Sequence, residues 1–121
     1  LPPALRALIG SRIDGLPAGA KRLVELLAAL DEPAPLPALA ACADLPPSDA
    51  ALLRDLGALD RAGMLGVAED GGVRRIACRH ALLQEVAYRG LTERRRRDLH
   101  AAIARRLEAM LGAEATRHAA A

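Results

Sequence analysis

Apolar positions recur along this chain at helical spacing, and prolines and glycines cut the pattern into six segments. Pro2-Pro3 opens a predicted helix over Ala4–Asp14, with Leu5, Leu8 and Ile13 as its apolar contacts. Gly15-Leu16-Pro17 ends it, and Pro17 suits the first turn of the next helix, Ala18 to Leu30. There Leu23, Leu27 and Leu30 form one stripe with Val24 beside it. Asp31-Glu32-Pro33-Ala34-Pro35 reads as a turn, and a short helix follows from Pro37 to Ala43. Leu45-Pro46-Pro47-Ser48 announces another helix start, with Ser48 or Pro47 near the cap. That helix, Asp49 to Ala62, repeats Leu52, Leu56 and Leu59 at i, i+4, i+7 spacing, and Gly63 stops it.

The period then changes. Met64–Ala68 and Val73–Cys78 are short strand-like runs around Asp70-Gly71-Gly72, a strong hairpin pattern. Helices resume over His80–Gly90 and Thr92–Leu111, the last with Leu99, Ile103, Leu107 and Met110 or Leu111 on one face. The low-complexity tail, Gly112 to Ala121, is expected to fray. Three helices followed by a hairpin is the order of a winged helix–turn–helix, with Asp49–Ala62 as third helix and the hairpin as wing. The predicted class is mostly α, with that hairpin and flanking helices.

Composition sharpens this. The 121 residues are 52% hydrophobic, yet Tyr88 is the only aromatic besides histidine. The core must be built from aliphatic contacts, each worth about 1 to 3 kcal/mol. Sixteen of the seventeen basic residues are arginine, a bias attributable to base composition of the genome. Residues 1–60 carry five basic and eight acidic side chains, whereas residues 61–121 carry twelve and seven. The basic half admits nucleic acid, an acidic partner domain or a nucleotide, but a solvated helix face of mixed charge accounts for it more simply. Cys42 and Cys78 lack metal or redox spacing and read as small buried hydrophobes. No apolar run suits a membrane span, no signal-peptide pattern opens the chain, and the missing initiator Met suggests a piece of a longer polypeptide.

The chemistry-bearing motifs are few. No phosphate-cradling P-loop, zinc-protease, nucleophile-elbow or dinucleotide motif occurs, and Lys21 sits within a leucine-rich helix. His80, His100 and His118 are too scattered for a catalytic cluster, so an autonomous enzyme is not expected. The third helix has Asp49, Arg54, Asp55, Asp60 and Arg61, net −1, a poor composition for a major groove. Arg74 and Arg75 on the wing are opposed by Glu69 and Asp70. Arg94–Arg97 cannot share one helical face, which favours a solvated, packing role over a binding patch. His100 borders the Leu99–Ile103 seam, and Tyr88 suits a packed ring with its hydroxyl at the surface. His80 is different. It stands at a helix start, directly after a strand, where unpaired N–H groups and the helix dipole favour anions.

Pro3-Ala4-Leu5-Arg6-Ala7-Leu8-Ile9 with Arg12-Ile13-Asp14-Gly15-Leu16-Pro17, and Arg79-His80-Ala81-Leu82-Leu83-Gln84-Glu85-Val86-Ala87-Tyr88 followed by Arg94–Arg97 and Leu99-His100, carry a resemblance. Together they resemble the region after the ATPase core in STAND-type signalling ATPases, bacterial AAA-like modules joined to adenylate or guanylate cyclase domains or to LuxR-type regulators. The resemblance spans about residues 1–111. It implies a linker helix from the upstream ATPase lid (1–16), a winged-helix domain (17–79), and helices leading toward tetratricopeptide-like repeats (80–111), with 112–121 as a tail. It also implies that the parent protein binds ATP and ADP, that this piece carries no cofactor, and that His80, with Arg79 beside it, approaches the β-phosphate of ADP. Here the motif is Arg79-His80-Ala81, where plant and animal members favour Met-His-Asp. The implied partners are the ATPase domain and the downstream repeats of one cytoplasmic polypeptide, without membrane or nucleic acid. A DNA-binding winged helix of a transcription regulator is the alternative.

Overall fold

The computed structural model describes the backbone of residues 2–30 and 32–120, and side chains as far as Gly112. The helix at the centre, α2, is second in the chain. The first, α1 (Pro3–Asp14), begins with proline at its first position and buries only Ile13, with Ile9 half-buried. Leu5 and Leu8, expected as contacts, are instead 39% and 58% exposed, because that half of α1 lies beyond the body. α2 (Ala18–Ala29) is wrapped from several sides: Ala20, Leu23, Val24 and the run Leu26–Ala29 are all buried.

The segment read as a turn contains a strand. β1 (Ala34–Pro35) pairs antiparallel with the later strand β3 (Val73–Cys78), Ala34 opposite Ile76 and Pro35 opposite Arg75. Ala34 precedes a proline, which disfavours helix and extends the backbone, and its side chain is buried. α3 (Leu36–Cys42) then buries Leu39 and Ala40. α4 (Ala50–Arg61) buries Leu52, Leu56 and Leu59 as its spacing predicts. Its cap is neither Ser48 nor Pro47: the Asp49 carboxylate accepts from Leu52 N–H at 3.0 Å.

α3 and α4 end in the same way. Leu45 N–H donates to Ala40 O at 2.9 Å and Asp44 N–H to Ala41 O at 3.0 Å. Met64 N–H donates to Leu59 O at 2.9 Å and Gly63 N–H to Asp60 O at 3.0 Å. Both are Schellman caps with a left-handed residue, Asp44 (φ 58°) in one and Gly63 (φ 72°) in the other. Asp44→Gly is therefore expected to stabilise by a few tenths to about 1 kcal/mol, and Gly63→Ala to destabilise by about 1 kcal/mol. Denaturant melts of the two variants check this, and shifts in the same direction would refute it.

β2 (Leu65–Asp70) and β3 form the hairpin, with Val67 opposite Ile76 and Asp70 opposite Val73. Gly71 and Gly72 both have positive φ, as a two-residue turn matched to strand twist demands. The sheet order is β1-β3-β2. Two helices follow, α5 (Ala81–Arg89) and α6 (Glu93–Ala120). α6 carries helical backbone past the predicted end at Leu111. The tail expected to fray, 112–121, has helical backbone as far as Ala120, and its side chains from residue 113 lie outside the described ones. The molecule is thus mostly helical with a small three-stranded antiparallel sheet. Among the described residues no charged or polar side chain is buried, and no helix is long and apolar enough to cross a membrane.

Candidate functional site

The junction between β3 and α5 positions His80. Arg79 N–H donates to Met64 O at 3.0 Å, which ties the end of β3 to the start of β2. The chain then stays extended at His80 (φ −132°, ψ 143°) and turns into helix at Ala81. His80 occupies the cap position, and its carbonyl accepts from Gln84 N–H at 3.2 Å, but its ring makes no capping hydrogen bond. The first N–H groups of α5 are left for solvent or a ligand. Arg79 and His80 are both exposed.

Folding adds a residue that the sequence reading did not single out. His80 lines a notch of about 190 Å³ together with Arg12 from α1. Ile9, Ala62, Gly63, Met64, Leu82 and Leu83 complete its lining. Arg79 is not part of it. No lining residue is acidic, and neither Arg12 nor His80 forms an ion pair among the described residues. No sequence pattern could have paired Arg12 with His80, since only the packing of α1 on α5 joins them.

The remaining residues of the Arg79–Tyr88 stretch are structural. The Gln84 side-chain amide donates to Ala28 O at 3.4 Å and Leu30 O at 3.1 Å, closing the C-terminal end of α2. Leu83, Val86 and Ala87 are buried. Tyr88 is half-buried; its hydroxyl lies 2.9 Å from His100 Nε2, and the Arg96 guanidinium stacks 4.9 Å from its ring centre. Arg96 also donates to Arg89 O at 3.3 Å. Arg95 pairs with Glu25 at 3.3 Å, whereas Arg94 and Arg97 are exposed. The arginine run is divided between packing and solvent, as its helical spacing requires. His118 lies outside the described side chains.

On the hairpin, Arg74 is held by Glu69 at 3.3 Å and Arg75 is half-buried. The cysteines are free and half-buried. Burial pushes the Cys78 thiol up to about 11 and raises that of Cys42, the latter opposed by the nearby Arg106 charge. Among the described residues no cluster of His, Cys, Asp and Glu has the arrangement to hold a metal ion. Compared with family models, with curated proteins and with solved structures, the chain matches none.

Proposed function

We propose that this chain is a non-catalytic regulatory module of a multidomain STAND-type ATPase. It relays the nucleotide state of an adjacent ATPase domain to a cyclase or transcription-regulating effector domain. Residues 17–79 are read as the winged helix, with α4 as its third helix and β2–β3 as its wing. The pairing of β1 with β3 supports that reading. α5 and α6 are read as the lead into tetratricopeptide-like repeats, and the parent protein as a cytoplasmic, ATP- and ADP-binding one.

The observation that carries the reading is the exposed His80 ring at the uncapped start of α5. An imidazole there donates to a phosphate oxygen, and the free N–H groups and helix dipole favour the same negative charge. The phosphate belongs to the neighbouring domain, so the contact couples nucleotide identity to domain arrangement. It acts as a switch because ADP and ATP differ in what they offer His80, and only such a difference shifts a conformational equilibrium. Arg79, exposed beside it, is the second candidate for the same phosphate.

The DNA-binding alternative is disfavoured by charge. Arg74 pairs with Glu69 at 3.3 Å, Asp49 caps the start of α4, and Asp60 stands beside Arg61 at its end. Two titrations of the isolated chain separate the readings. Neither ADP nor a DNA duplex at low salt is expected to bind measurably; tight duplex binding with a steep salt dependence would favour the regulator instead. The gene supplies a second check. A P-loop encoded upstream of Leu1 supports the relay, and its absence contradicts it.

A further inference from the structure

The notch beside His80 contains more than a phosphate contact needs. Its floor is Met64 and Leu83, both buried, and its walls include the half-buried Ile9 and Leu82. Its rim carries Arg12 and His80 and no carboxylate. At about 190 Å³ it falls short of the roughly 300–1,000 Å³ of sites that enclose small molecules. Its size matches one aliphatic side chain. The charge is one-sided: Arg12 has no ion-pair partner among the described residues, and no acidic residue stands opposite it.

We propose that this notch docks a partner polypeptide segment that seats one aliphatic side chain on Met64 and Leu83 and sets an adjacent carboxylate against Arg12 and His80. The apolar floor accounts for the side chain, and the unopposed cations account for the acid. Each half is weak by itself. One aliphatic contact and one solvent-exposed charge pair each add only modestly to affinity. The segment must therefore be held nearby by other contacts, or bind transiently. The inference goes beyond the nucleotide relay, because it requires no phosphate.

The test is a titration of the 121-residue chain, followed through the methyl resonances of Ile9, Met64, Leu82 and Leu83. Four probes are compared: a blocked acidic peptide with a central Glu-Leu-Glu, the same peptide with Leu replaced by Ser, the same with Glu replaced by Gln, and inorganic phosphate. The Glu-Leu-Glu peptide is expected to shift these methyls at millimolar concentration, at least fivefold more tightly than either substituted peptide. Arg12→Gln, at an exposed position, weakens it about fivefold. Ala62→Leu, which crowds the mouth, abolishes the methyl shifts. Equal affinity for the substituted peptides, methyl shifts reproduced by phosphate alone, or no shifts at all would overturn the proposal. Nucleotide release that is insensitive to His80→Ala in the parent protein would remove the relay and leave this result standing.

Discussion

Leu59→Ala is expected to lower the unfolding free energy by about 3 kcal/mol, within the range of roughly 2–5 for large-to-small core changes. Leu59 is fully buried, with Leu39 and Val24 the largest side chains so enclosed among the described residues. Its carbonyl also accepts the Met64 N–H that closes the cap of α4. The buried core is aliphatic apart from Met64 and is spread over several packed elements, so part of the cavity is expected to stay open. For a domain with about 5 to 15 kcal/mol of stability, this is a large fraction. Denaturant unfolding of Leu59→Ala beside Leu53→Ala, a neighbour on the same helix that is 47% exposed, provides the comparison. The exposed site should change stability by no more than about 0.5 kcal/mol. Similar losses at the two positions would show that α4 does not pack through this face.

Gln84→Ala is expected to cost about 2 kcal/mol. The end of α2 leaves carbonyls without helical partners, and the Gln84 amide satisfies those of Ala28 and Leu30. Removing the donor leaves part-buried acceptors unpaired, at about 1 to 3 kcal/mol for each that water cannot reach. Gln84→Glu makes a sharper test. It keeps the shape but at neutral pH only accepts hydrogen bonds, so it should be at least as damaging as Gln84→Ala. Its stability should partly recover in acid, when the carboxyl group regains a donor. Thermal unfolding across pH reads both effects, and a neutral Gln84→Glu would exclude the capping role.

Much of the helical framework was legible because it is local. Leu52, Leu56 and Leu59 lie on one face of any helix, and Asp70-Gly71-Gly72 has few conformations other than a tight hairpin. The misreadings share a different origin. β1 has two residues and is recognisable as a strand only through β3, which lies far along the chain. Leu5 and Leu8 have the spacing of a buried stripe, but nothing local tells where the body ends beneath α1. Ser48 and Asp49 both qualify as caps, and a one-residue difference in helix start decides between them. In the candidate site, the position of His80 at a strand-to-helix junction was readable. The place of Arg12 beside it was not, because it arises only from packing between distant segments. Nothing local sets Gln84 apart either, because its amide is engaged only where the end of α2 packs against α5.

The central claim is that His80 senses a phosphate held by a neighbouring domain. Its most direct test is the rate of ADP release from the intact polypeptide containing these residues, wild type against His80→Ala, with folding verified for both. Loss of one charge-assisted hydrogen bond, about 1.5 to 3 kcal/mol, predicts release at least tenfold faster and a higher basal activity of the effector domain. Unchanged ADP release in a folded His80→Ala protein would contradict the account.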